Sequence, residues 1–111
     1  MQIKLAGEKH TLILKICGEL DHHVASEIAA QCDEAVIKSN AVNIVFDFSE
    51  LSFMDSSGIG AVMGRYKKVK GFGGCVIIAA PTMQVMRIIT ISGLKRIIKV
   101  TTSVENALKL V

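Results

Sequence analysis

The chain has no Trp, a single Pro, one Tyr and four Phe, so aromatic rings cannot organise its interior. Half of its residues are apolar, and the core must therefore be aliphatic. Its three cysteines, Cys17, Cys32 and Cys75, are odd in number and widely spaced, which suggests neither a disulfide framework nor a zinc site. They read as small core residues in a reducing compartment. No apolar run approaches the ~20 residues of a membrane span. The first nine residues alternate and lack the apolar centre of a signal peptide. A cytoplasmic location is expected.

Excess charge is lacking too. Thirteen Lys and Arg against ten Asp and Glu leave a net charge of +3, and the basic residues are scattered apart from Arg65, Lys67, Lys68 and Lys70. A nucleic-acid partner calls for a denser stripe, or for aromatics that stack on bases, so none is expected. At 111 residues the chain has room for one core and not for two, which predicts a single domain spanning residues 1–111.

The most informative stretch runs from Val42 to Gly60. It opens with β-branched and aromatic residues, Ile44, Val45, Phe46 and Phe48, the pattern of a buried strand. Polar residues interrupt the run, and Asp55-Ser56-Ser57-Gly58 then leads into an apolar helical segment. Asp and Ser directly before a helix accept bonds from its unpaired first-turn N–H groups. Two hydroxyls are thus expected at a helix N-terminus, a place suited to an anion or to a phosphoryl group added later.

The remaining chain fills in around that stretch. Residues 2–6 and 11–17 read as two strands joined by a tight turn at Gly7-Glu8-Lys9-His10. In the second, Leu12, Leu14 and Ile16 alternate with Thr11, Ile13 and Lys15 and predict one buried face. Gly18 ends it, and Glu19 to His23 follow as a polar loop. Residues 24–38 predict an amphipathic helix with Val24, Ile28, Ala29, Cys32, Ala35 and Val36 inward. Ser26, Glu27, Gln31, Asp33 and Glu34 face out, and Ser39-Asn40 closes the helix. The next helix runs from Ser56 or Ser57 to Lys70, with Ile59, Val62, Met63, Tyr66 and Val69 as its apolar face.

Gly58, Gly60 and Gly64 weaken that helix by roughly 1 kcal/mol each relative to Ala, so close backbone approach, to the sheet or to a partner, is inferred for them. Gly71 to Gly74 stop it. A strand over 75–79 follows, then a helix begun by Pro81-Thr82 and ended by Ser92-Gly93, a strand over 97–100, and a helix capped by Thr102-Ser103. The order β-β-α-β-α-β-α-β-α implies an α/β fold with one mixed, mostly parallel sheet of about five strands, about four helices, and the first strand antiparallel at an edge.

Enzymatic readings fit poorly. Gly58-Ile59-Gly60 follows a strand and enters a helix, but Met63 stands where a dinucleotide loop needs its third glycine, and the Walker lysine is missing. Ser56 or Ser57 on a strand-to-helix turn lacks the Gly-x-Ser-x-Gly elbow. His10, His22 and His23 all come early, and none is placed by sequence as a base. Adjacent His22 and His23 do not make a metal cluster and read as solvated loop residues. Asp21, Asp47 and Asp55 do not reproduce the acidic pair that opens a receiver domain. No cofactor, no metal and no catalytic residue are expected.

Two motifs carry a family resemblance across essentially the whole chain. Leu51-Ser52-Phe53-Met54-Asp55-Ser56-Ser57-Gly58-Ile59-Gly60, with Gly18-Glu19-Leu20-Asp21-His22-His23 ahead of it, resembles the anti-anti-sigma factors. These are standalone STAS domains, and the match is nearest to the sporulation members of Bacillus-type bacteria. Gly64-Arg65-Tyr66-Lys67 and Ser92-Gly93-Leu94 add to it. The resemblance implies a protein switch and no enzyme. Its partners would be an anti-sigma factor that is also a serine kinase, with bound ATP or ADP, and a serine phosphatase.

The family pattern selects Ser57 over Ser56 as the phosphorylated residue, which the residue chemistry alone leaves open. The expected partner-binding set is Asp21, His22, Asp55, Ser56, Ser57, Gly58, Ile59, Gly60 and Arg65. Asp21 is either a contact to a partner arginine or a solvated N-cap of the first helix. Two alternatives are weighed: a STAS scaffold in another signalling complex of the stressosome type, and a small nucleotide-binding protein.

Overall fold

The computed structural model describes residues 1–6 and 10–111. The expected turn at Gly7-Glu8-Lys9 lies outside the described residues. β1 (Gln2–Ala6) pairs antiparallel with β2 (Thr11–Lys15). Parallel pairings then carry the sheet through β4 (Asn43–Asp47) and β6 (Val76–Ala79) to β7 (Lys99–Thr101). The order is β1-β2-β4-β6-β7, so the expected five-stranded mixed sheet forms with its antiparallel strand at one edge.

Both faces are covered. α1 (Ala25–Ser39), α2 (Ser56–Gly71) and α3 (Met83–Ile91) bury Cys32, Val62, Val69, Val85 and Ile89 against Leu12, Leu14, Ile44, Phe46 and Ile78. On the opposite face Ala107 of the short α4 (Val104–Leu108) packs on Ile13, Val45, Ile77 and Ala79. β2 therefore has two buried faces and not the single one its alternation predicts, because it sits between β1 and β4 and is covered on both sides. Thr11 and Ile13 are buried along with Leu12 and Leu14.

Most helix ends follow their residue chemistry. Asn40 takes the left-handed conformation (φ 55°) at the end of α1. Gly73 (φ +85°) turns the chain after α2, with the Gly74 N–H bonded to the Val69 carbonyl at 3.0 Å. Thr82 and Ser103 cap α3 and α4 through their hydroxyl oxygens.

One feature escapes the strand pattern. Gly18–Leu20 and Leu51–Met54 are strands, β3 and β5, paired with each other in a separate two-stranded parallel sheet. The first was expected as a loop and the second as a polar break. Leu20, Leu51 and Met54 are buried, and the Ser52 hydroxyl donates to the Gly18 carbonyl at 2.9 Å. The Thr82 hydroxyl donates to the Leu51 carbonyl at 3.1 Å and ties α3 to this small sheet. A short 3-10 turn, Leu94–Arg96, leads into β7.

Candidate functional site

β3 and β5 determine what stands beside the start of α2. Their register pairs Leu20 with Met54, so the turn after β3 (Asp21 to His23) lies next to the turn after β5 (Asp55 to Ser57). The small second sheet thus brings the two turns together.

Asp55 is the N-cap of α2, in extended backbone. Its Oδ1 accepts from the N–H groups of Ser57 at 2.9 Å and Gly58 at 3.3 Å. Its Oδ2 accepts from the His22 N–H at 3.1 Å, with the His22 ring Nδ1 3.5 Å away. Desolvation works against the ionised form. The N–H groups of Gly58, His22 and Ser57, with the His22 ring, outweigh it and hold the Asp55 carboxyl below the usual aspartate range.

Asp21 behaves alike. Desolvation is overcome by the His23 N–H, 2.9 Å from Oδ1, and by the His23 ring, 3.5 Å from Oδ2, so its carboxyl is also lowered. It does not cap α1, whose N-cap is Val24 with no side-chain bond. The Asp21 carbonyl instead receives the Val24 and Ala25 N–H groups, and the carboxylate closes the turn before them.

Gly58 is fixed by space. A Cβ there would lie 2.5 Å from Met54 Cγ and 2.6 Å from the Leu20 carbonyl oxygen. It lets α2 start directly against the β3–β5 pair. Gly60 and Gly64 meet nothing within 4 Å, so the close approach inferred for all three glycines holds inside the domain for Gly58 alone. Ile59 packs partly against the main core.

A groove of about 350 Å³ opens between α1 and α2, lined by His22, Ser26, Ser57, Gly60 and Arg65 over a floor of alanines. Ser57 is half-buried on its wall, whereas Ser56 is exposed and outside it. Among the described residues the Ser57 hydroxyl makes no hydrogen bond. The expected residues thus come together around the start of α2. Arg65, two turns further on, closes the far end of the groove.

Arg65 is more constrained than an exposed helix cation. Its side chain is 11 % exposed, and Nε lies 3.0 Å from Asp33 Oδ1 on α1. Nε and Nη1 are shut off from solvent and no acceptor is aligned with either among the described residues. The contact is therefore one of charge more than of directed bonding. Lys68 Nζ reaches Asp33 Oδ2 at 2.7 Å. Asp33, expected to face solvent, is turned toward α2 by these two cations. Sequence reasoning missed Asp33 and Ser26; the only available signal was a run of small residues, Ala25, Ala29, Gly60 and Ala61, where two helices approach.

Known proteins share this fold and resemble the sequence. Residues 2–107 match the STAS domain family. An anti-sigma F factor antagonist of Paenibacillus polymyxa is 36% identical over 108 residues, covering 97% of this chain and 92% of the relative. The solved structure of the anti-sigma factor antagonist SpoIIAA in its unphosphorylated form superposes with a TM-score of 0.81 at 32% identity, over 96% of this chain and 91% of that one. The phosphorylated form of the Bacillus cell fate determinant SpoIIAA gives 0.73 at 30% identity, over 97% and 96%.

Proposed function

The chain belongs to the STAS domain family, among its anti-sigma factor antagonists, and from that premise we propose that it is a phosphorylation-controlled anti-anti-sigma factor. It acts as a regulatory binding protein and not as an enzyme. In the cytoplasm it binds an anti-sigma factor that is also a serine kinase, with ATP or ADP in place, and so frees a sporulation sigma factor. The kinase phosphorylates Ser57 and a serine phosphatase restores the binding form.

The observation that carries this reading is the unbonded Ser57 hydroxyl on the wall of the α1–α2 groove. It sits in the first turn of a helix whose N–H groups favour added negative charge. A phosphoryl group brings about −1.5 to −2 charges and three acceptor oxygens. The helix start tolerates this, so phosphorylation acts on the partner and leaves the fold intact. Repulsion from the kinase's bound nucleotide, together with bulk, weakens the complex. Asp21, His22, Asp55, Ser56, Gly58, Ile59, Gly60 and Arg65 form the surrounding contact surface, with Asp21 offered to a partner cation.

Intact-mass measurement after incubation with ATP and the anti-sigma kinase of the same genome tests this. One added phosphate is expected on the wild type and on Ser56→Ala, and none on Ser57→Ala. A wild type that gains no phosphate and does not bind the kinase would overturn the proposal and leave the STAS assignment standing.

A further inference from the structure

The two helices that flank the groove begin side by side, and their starts are finished differently. At α2 the Asp55 carboxylate takes the Ser57 and Gly58 N–H groups, and the Asp55 carbonyl takes that of Ile59. At α1 no side chain caps the helix. The Val24 and Ala25 N–H groups go to the Asp21 carbonyl, and that of Ile28 goes to Val24. The N–H groups of Ser26 and Glu27 have no acceptor among the described residues. Donors left over in a first turn carry the positive end of the helix dipole.

Ser26 supplies a side chain as well. It lines the α1 wall of the groove, and Ser57 lines the α2 wall. Neither hydroxyl makes a hydrogen bond among the described residues. His22, Arg65, the two serines, Gly60 and alanines make up the lining, which contains no carboxylate. Arg65 is held at the far end by Asp33, with Nε and Nη1 shut off from solvent, so it lends the groove a field and no bond. Asp55 has already taken the Ser57 and Gly58 donors with one oxygen and the His22 N–H with the other. A dianion attached to Ser57 is repelled by that carboxylate, and the free donors it meets lie across the groove on α1.

Resting on the reading that Ser57 is phosphorylated, we propose that the domain binds its own phosphoryl group, in a clamp across the groove from α2 to α1. The kinase moves the γ-phosphoryl group of ATP onto the Ser57 oxygen, and ADP and the hydroxyl proton leave. The phosphate oxygens then accept from the Ser26 hydroxyl and from the Ser26 and Glu27 N–H groups, with the His22 ring at the rim. A phosphate at a free helix start gains about one to three charge-assisted bonds of this kind. The phosphoprotein thus fills, from within, the groove that its partner approaches. This internal closure adds to repulsion from the kinase's nucleotide.

Phosphoserine encoded genetically at position 57 of the full chain tests the clamp without the kinase, so failure of the clamp and failure of the kinase reading are told apart. Relative to the unmodified chain, the amide protons of Ser26 and Glu27 should move downfield in NMR spectra, and the melting temperature should rise. Ser26→Ala should lose most of that rise. Ser26→Glu should reverse it, because a carboxylate then faces the phosphate. Without the phosphate the same substitution places an acid in a first turn and should not lower the melting temperature, which separates loss of the clamp from damage to the fold. Three results would overturn the proposal. One is a set of amide shifts confined to the neighbours of Ser57, with Ser26 and Glu27 unmoved. Another is a melting temperature that the phosphate leaves unchanged. The third is a rise that persists in full in Ser26→Ala and Ser26→Glu, which would place the phosphate in solvent or on α2.

Discussion

The backbone N–H of His22 donates to Asp55 Oδ2 at 3.1 Å, joining two residues 33 positions apart. The same carboxylate caps α2 through Ser57 and Gly58. One side chain thus holds the turn after β3 against the helix that displays Ser57. Removing it frees three N–H groups at once.

Asp55→Asn keeps an oxygen for the Ser57 and Gly58 N–H groups but sets an NH2 donor against the His22 N–H, so it should lower the unfolding midpoint at neutral pH and change its acid dependence. The folded carboxyl titrates below its ordinary range. Its contribution to stability is full above the ordinary aspartate value of about 3.9. It is lost as pH falls from there through the lowered folded value. Asp21 is shifted in the same direction. Thermal melts from neutral pH down into that range should show a shallower acid limb for Asp55→Asn than for wild type. Parallel limbs would mean that these bonds do not favour the ionised carboxylate in the folded state over the unfolded one.

Gly58→Ala and Gly64→Ala should move stability in opposite directions. At Gly64 a methyl group meets nothing within 4 Å, and the helix gains roughly 1 kcal/mol of propensity. At Gly58 the same methyl collides with the Leu20 carbonyl and Met54. Overpacking of that kind costs about 1–3 kcal/mol and outweighs the propensity gain. Urea midpoints of the two variants decide it.

The main sheet was legible because its central strands are apolar runs set between helical segments. Ile44, Val45, Phe46 and Phe48 announce the centre, and the alternation of strand and helix dictates parallel neighbours. β3 and β5, three and four residues long, offer no periodicity. Their buried Leu20, Leu51 and Met54 are hidden among Glu19, Asp21, Glu50 and Ser52. At the site, Asp55 and the two serines declare themselves through capping chemistry. Asp33 does not, because its outward or inward direction depends on how α1 is rotated against α2, and that angle is set by packing between the helices.

Asp33 should matter more than its position on a surface helix suggests. It is the counter-charge to Arg65, whose side chain is 11 % exposed, and it also receives Lys68. Asp33→Asn leaves the largely buried guanidinium, with Nε and Nη1 shut off from solvent, without its anion, at a cost of about 1–3 kcal/mol. Lys68→Ala, at a 58 % exposed side chain, should change stability by less than about 0.5 kcal/mol. A double-mutant cycle between Asp33→Asn and Arg65→Gln should be clearly non-additive. Additive denaturant midpoints would reduce the pair to two unrelated surface charges.

Gly60→Ala separates folding from binding at the groove itself. Nothing within the domain lies within 4 Å of the added methyl, so the intrinsic helix gain of roughly 1 kcal/mol should appear undiminished in unfolding. Yet Gly60 stands in the groove wall beside Ser57, where the proposed kinase must approach closely. A methyl group projecting into a fitted contact costs on the order of 1–3 kcal/mol, or about five- to 150-fold in affinity. A more stable protein that binds the anti-sigma kinase more weakly is the expected outcome, read by calorimetry on one preparation. If affinity stayed at the wild-type level while stability rose, the glycine would owe nothing to the partner. The contact surface would then have to be drawn around Ser57 without that part of the groove wall.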